Sequence, residues 1–223
     1  MHTLDISYFS EANKKRLVSF KNSKGEPANS LEWGLWDWYG ALVGEIGEYA
    51  NFKKKLVRGD INQEEFQEKA GKELADIQTY VSIFANFMEI KLSSRRWGQS
   101  LYTGEKISSI FTIGNHGLDM EAMASYCDKQ ALRHLNANLE ALLDFVLGRT
   151  FTYSGETSLQ TKDQQIEDIL SNKFRDLQYS LEVLAYKNGI DLALETFNKF
   201  NEVSERTGST VKLSKAALQK IYL

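Results

Sequence analysis

Two acidic pairs at helical spacing lie in the first third of the chain. They are Glu45 and Glu48, in Gly44-Glu45-Ile46-Gly47-Glu48, and Glu73 and Asp76, in Lys72-Glu73-Leu74-Ala75-Asp76. Residues three apart on an α-helix share a face, so each pair aims two carboxylates the same way. Two such helices side by side would bring four together. Unit charges about 4 Å apart repel by roughly 4 kcal/mol at an effective dielectric near 20, which makes the quartet costly unless a cation sits among them. An all-oxygen ligand set suits Mg²⁺, or Mn²⁺, hard ions that accept carboxylates and keep room for water and phosphate. Glu45, Glu48, Glu73 and Asp76 are therefore candidate metal ligands. Spacing alone leaves open the alternative of a solvated acidic face. Gly44 and Gly47 each cost a helix about 1 kcal/mol relative to alanine, so a partner helix or ligand is expected to approach there.

The elements that must position these acids can be read from caps and periodicity. Asn29 and Glu32 have capping-box spacing, predicting a helix from about 29 to Arg58, ended by Gly59-Asp60. Asn62 and Glu65 repeat the spacing for a helix over about 63–92. There Phe66, Ala70, Leu74, Ile77, Val81 and Phe84 recur at intervals of three or four, the period of a buried stripe. Glu73 and Asp76 fall beside that stripe, at the edge of a core. The first helix opens with Trp33, Trp36 and Trp38. Such aromatics serve core packing, or stack on a nucleobase; Trp33 and Trp36 are the stacking candidates. Its last turns hold Lys53, Lys54, Lys55 and Arg58, which the helix dipole alone accounts for. The other role open to Lys54, Lys55 and Arg58 is contact with a triphosphate.

Elsewhere, residues 4–20 give a weak amphipathic helix with Phe9, Leu17 and Phe20 inward and Lys14-Lys15-Arg16 solvated. A loop at 22–30 holds the single proline, Pro27, and periodicity fails from 93 to 117. Further helices are predicted over about 119–147, 163–188 and 191–206, the second of them ending at Asn188-Gly189. The chain of 223 residues thus reads as a single all-α domain, 1–223, with 31–92 as a metal-binding hairpin. At an offset of 100, Asp76-Ile77-Gln78 falls on Asp176-Leu177-Gln178, while Glu73 falls on Lys173. Two amphipathic helices can agree this far by chance. The alternative is a duplication in which 118–206 holds a degenerate counterpart, its ligands lost, plus a C-terminal helix.

Composition narrows the class. A content of 42% hydrophobic and 26% charged residues is ordinary for a soluble chain, and a net charge of −3 gives no global attraction to nucleic acid or anionic membrane. One cysteine, Cys127, rules out a multi-cysteine zinc site and is expected to be buried. No apolar run approaches the roughly 18 residues that span a membrane, so a cytoplasmic location is expected. A ferritin-like di-iron centre needs Glu-x-x-His pairs, and none of the three histidines has an acid three residues before it.

Glu-x-x-Glu followed on the next helix by Glu-Leu-Ala-Asp resembles the MazG-like, all-α nucleoside triphosphate pyrophosphohydrolases, relatives of the dimeric dUTPases and phosphoribosyl-ATP pyrophosphohydrolases. The similarity continues through Lys54-Lys55-Leu56-Val57-Arg58-Gly59-Asp60 and again in Lys199-Phe200-Asn201-Glu202-Val203-Ser204-Glu205-Arg206, covering about 31–92 and 173–213. The chain departs from the pattern at Gly44, where the family usually has the first of two adjacent glutamates, and over 93–172. The resemblance implies an antiparallel helical bundle, a homodimer, and Mg²⁺-dependent cleavage of a (deoxy)nucleoside triphosphate between the α and β phosphates. The products would be monophosphate and pyrophosphate, a reaction of nucleotide-pool control. It implies Lys199, Asn201 and Arg206 as phosphate contacts and one glutamate, Glu48, as base towards the attacking water. No Gly-x-x-x-x-Gly-Lys-Ser/Thr loop is present to hold a β,γ-cleaving geometry. The rival expectation is a non-catalytic helical interaction protein built on the same fold.

Overall fold

A computed structural model describes residues 1–19, 33–92, 98–99, 106–107, 112–113, 127–146 and 162–220. In chain order it contains β1 (His2–Asp5), α1 (Ile6–Leu17), α2 (Leu35–Arg58), α3 (Gln63–Phe87), β2 (Gly98–Gln99), β3 (Lys106–Ile107) and β4 (Thr112–Ile113). Then follow α4 (Asp128–Val146), α5 (Lys162–Lys187), α6 (Leu192–Arg206), a 3₁₀ turn at Lys215–Ala217 and β5 (Leu218–Lys220). The protein is mostly helical, as expected, and no helix among the described residues is long and apolar enough to cross a membrane. The expectation of helices alone misses the strands. β1 pairs antiparallel with both β4 and β5, setting Leu4 opposite Ile113 and Leu218, and β2 pairs with β3. Pieces of two to four residues are too short to show the alternation by which a strand is read, and the pairing joins parts of the chain far apart in sequence.

The cap chemistry sets the first hairpin. Gly59, at φ +77°, ends α2 in the left-handed conformation that a residue without Cβ adopts freely. Three residues on, the Asn62 side chain accepts a 2.8 Å hydrogen bond from Glu65 N, the predicted cap of α3. α2 itself begins at Leu35, where Gly34 N donates to Asp37 Oδ2 at 2.9 Å. That is later than the Asn29 spacing predicts; Asn29, Glu32 and Phe20 lie outside the described residues. The two helices run antiparallel, with Tyr49 against Phe66 and Trp38 against Tyr80 at ring separations of 6.2 and 6.4 Å.

α3 buries its apolar stripe. Phe66, Leu74, Ile77, Val81 and Phe84, all from the predicted stripe, have no exposed surface. α6 packs alongside it where α3 carries Gly71: a Cβ there would stand 3.0 Å from Glu195 Cγ, so a larger residue would require the Glu195 side chain to give by a few tenths of an ångström. α5 crosses antiparallel to α3, with Phe84 edge-on to Phe174 at 5.8 Å. Near the middle of that contact, Gln78 and Gln178 exchange side-chain hydrogen bonds of 2.9 and 2.6 Å.

α4 and α5 form a second hairpin whose features repeat those of the first. Glu89 and Gly189, 100 positions apart, both have positive φ, at 58° and 67°. Each is followed by an isoleucine whose N–H closes its helix: Ile90 on Ala85 O and Ile190 on Ala185 O, both at 2.9 Å. The first helices of the hairpins match at a different offset. Buried Trp38, Leu42, Ile46 and Tyr49 of α2 correspond in spacing to buried Ala131, Leu135, Leu139 and Leu142 of α4, each 93 positions on.

Candidate functional site

Antiparallel packing of α2 on α3 turns the two acidic pairs towards each other. One ligand oxygen from each of Glu45, Glu73 and Asp76 lies within 4.8 Å of the others, and all three residues are half-buried. The fourth acid, Glu48, is exposed one turn further along α2 and stands outside this group. It is near enough to add to the repulsion felt by Glu45 and Glu73.

The fold makes these charges expensive. Burial, then the carboxylates of Asp76 and Glu73, push Glu45 up to about 8. Burial also raises Glu73, with Glu48 and Asp76 adding to it. Asp76 is raised by burial, against the opposing pull of Lys199, Arg16 and Arg206. Three crowded carboxylate oxygens, shielded from water and resisting joint ionisation, form a donor set that fits a hard divalent ion such as Mg²⁺ or Mn²⁺.

The sign of the pH dependence follows. With Glu45 raised, the folded metal-free chain holds more protons than the unfolded one. The stability this contributes is full below the ordinary glutamate range and is lost as pH rises through about 8. A divalent ion competes with the same protons, so its affinity should climb from about pH 6 to about pH 8 and then level off, with proton release on binding. Calorimetric titration in buffers of different ionisation enthalpy checks both.

Beside the acids opens a cavity of about 270 Å³ whose wall includes Glu45 and Asp76 at one end. Trp33 just before α2, Trp38 from α2, Thr79, Tyr80 and Ile83 from α3, and Lys199, Val203 and Arg206 from α6 continue it, with Arg16 and Leu17 from α1. Asp76 to Ile83 is seven residues, about 10 Å of helix. The cavity thus joins an acidic end to an aromatic wall. Trp33 and Trp38 stack tilted at 4.7 Å, and Trp38 leans on Tyr80. Lys199 Nζ pairs with Asp76 Oδ2 at 2.9 Å.

Of the sequence candidates, the structure brings together Glu45, Glu73, Asp76, Lys199, Arg206 and Trp33. Trp36 lies outside the cavity, 56% exposed and edge-on to Tyr39. Asn201 is occupied otherwise. Its amide donates to Leu213 O at 3.1 Å and its carbonyl accepts from Leu213 N at 2.7 Å, clamping the C-terminal segment. Lys54, Lys55 and Arg58 follow Glu45 by 9 to 13 residues, roughly 13 to 20 Å along α2. There Lys55 lies 5.0 Å over the Phe52 ring and Arg58 pairs with Asp60. A Cβ on Gly44 or Gly47 would meet nothing within 4 Å, so neither glycine serves a close approach among the described residues. Cys127 is exposed, not buried.

Arg16 is the main residue missed. Placed in the sequence on a solvated face, it is 2% exposed. Its guanidinium lies 3.7 Å over the Phe200 ring and donates to Phe200 O at 2.9 Å and Asn13 Oδ1 at 3.0 Å. The signal was present: Phe9, Asn13 and Arg16 are four and three apart, one stripe of α1. Trp38 stands two turns before Glu45, and Thr79 and Tyr80 one turn after Asp76, so the same spacing rule marks them. No family model, curated protein or solved structure matches the chain.

Proposed function

We propose that the protein is a Mg²⁺-dependent nucleoside triphosphate pyrophosphohydrolase with a MazG-like helical bundle, converting a (deoxy)nucleoside triphosphate and water to the monophosphate and pyrophosphate. One observation carries the reading: a single cavity lined by Glu45 and Asp76, two members of a carboxylate triad completed by Glu73, also presents Lys199, Arg206 and an aromatic wall. Glu45, Glu73 and Asp76 would hold the ion. When bound, that ion supplies charge stabilisation at the phosphoryl oxygens and at the leaving pyrophosphate. Glu48, exposed one turn along the same helix from Glu45, would take a proton from the attacking water. Lys199 and Arg206 meet the phosphate charge, and Trp33, Trp38 and Tyr80 offer ring faces to the base. Arg16, fixed by Phe200 and Asn13, keeps a positive charge in the cavity wall near Asp76.

The second hairpin fits this reading as a duplicated copy without a metal site. Its register sets Asn138 where the first hairpin has Glu45, Ala141 for Glu48, Lys173 for Glu73 and Asp176 for Asp76. Lys173 Nζ lies 3.4 Å from Asn138 Oδ1, so a cation and an amide stand where two of the ligands would be. On this account a homodimer is not needed to complete the bundle, although the family resemblance implies one. A cytoplasmic setting, where nucleotides are abundant, suits the activity. The test is a panel of ribo- and deoxyribonucleoside triphosphates with Mg²⁺ or a chelator. Pyrophosphate release that requires Mg²⁺ is expected; orthophosphate as the direct product, or no turnover of any triphosphate, overturns the reading.

A further inference from the structure

Lys199 is paired with Asp76, one of the three acids that would hold a metal ion. Lys199 Nζ is 2.9 Å from Asp76 Oδ2, and both side chains are about one-fifth exposed. Asp76 also supplies one of the three clustered ligand oxygens. A divalent ion bound at the roughly 2.0–2.1 Å that Mg²⁺ requires would leave an ammonium on the same carboxylate within a few ångströms of a second cation. In a site shielded from water, that repulsion is poorly screened. The cavity's cations also differ in freedom. Arg16 is pinned by two hydrogen bonds and by the Phe200 ring, whereas Lys199 is a point charge on a flexible four-carbon stem.

We propose that Lys199 is a resident counter-ion of the acid cluster, which a divalent ion displaces, and that the freed ammonium then turns to an anionic ligand in the same cavity. Metal loading thereby creates a phosphate contact, so metal and phosphate bind with positive coupling. By reciprocity, each tightens the other by the same factor. The inference rests on the reading that Glu45, Glu73 and Asp76 hold a divalent ion.

The experiment is a Mn²⁺ titration of the full chain, following free Mn²⁺ by electron paramagnetic resonance, with and without inorganic phosphate as the anionic probe. Lys199→Met removes the competing charge at similar volume, so Mn²⁺ should bind about tenfold tighter than to the wild type. Lys199→Gln should behave likewise, and Lys199→Arg, which keeps the charge, should stay close to the wild type. Phosphate should tighten Mn²⁺ binding several-fold in the wild type and much less in Lys199→Met. A gain in affinity cannot come from a misfolded variant. Unchanged or weaker Mn²⁺ binding in both neutral variants, with wild-type binding intact, overturns the proposal and leaves the metal site standing. Equal phosphate effects in wild type and Lys199→Met overturn the coupling. No Mn²⁺ binding to any form removes the metal site and the proposal together.

Discussion

Glu45→Gln, Glu73→Gln and Asp76→Asn are each expected to lower pyrophosphohydrolase turnover by about a thousandfold or more while leaving the helical circular dichroism intact. The amides keep the shape of the acids and remove the charge that holds the ion, which is worth several kcal/mol of transition-state stabilisation. The three should differ in metal-free stability, and the difference is diagnostic. Glu45 is raised to about 8 by burial and by its neighbours, so Glu45→Gln relieves a penalty and should stabilise the metal-free chain at pH 8 and above. Asp76→Asn removes the partner of Lys199 and leaves that ammonium half-buried without its anion, so no such gain is expected. Turnover assays and urea melts of the three variants check both parts. Wild-type turnover in any one removes that residue from the site.

Truncation at Gly117 should yield an insoluble fragment. It deletes α4, α5 and α6, and with them the surfaces that cover one side of α3. Leu74, Ile77, Val81 and Phe84 have no exposed surface in the intact chain. Burial of a large aliphatic or aromatic side chain contributes about 1.5–3 kcal/mol. Losing even half of that at four positions approaches the low end of the 5–15 kcal/mol that holds a typical domain folded. Gln78 would lose its reciprocal partner Gln178 as well. Expression and sedimentation of the fragment decide the matter: a soluble, helical fragment ending near Gly117 would mark the second half as an accessory and the equivalence of the two hairpins as coincidence.

How legible these features were depends on whether they are local. The carboxylate pairs, the Asn62 cap, the Gly59 and Gly189 helix ends and the α3 stripe are set within a few residues of sequence. Each appears in the structure where spacing placed it, apart from Glu48, which shares the face but stays outside the triad. The helix dipole was sufficient reason for Lys54, Lys55 and Arg58, which lie along α2 away from the acids. Arg16 was hidden because a cation next to Lys14 and Lys15 reads as surface. Its burial depends on the ring and carbonyl of Phe200, 184 positions away. The hydrogen bonds of Asn201 were hidden for a similar reason, since the chain that occupies its amide comes twelve residues later at Leu213. The echo at an offset of 100 was visible in the α3 and α5 helices but not in α2 and α4, whose shared buried face matches at an offset of 93, seven residues shorter, and surfaces only when the hairpins are compared in three dimensions.

Glu45, Glu73 and Asp76 are proposed to hold a divalent ion that the second hairpin does not bind. Mn²⁺ binding at pH 8 to the wild type, Glu45→Gln and Asp176→Asn tests it most directly. Asp176 is 1% exposed, and burial pushes it up to about 6, so Asp176→Asn changes a buried acid without touching the triad. Saturable Mn²⁺ binding that is lost in Glu45→Gln and unchanged in Asp176→Asn is the predicted result; binding that survives Glu45→Gln, or that disappears with Asp176→Asn, would contradict it.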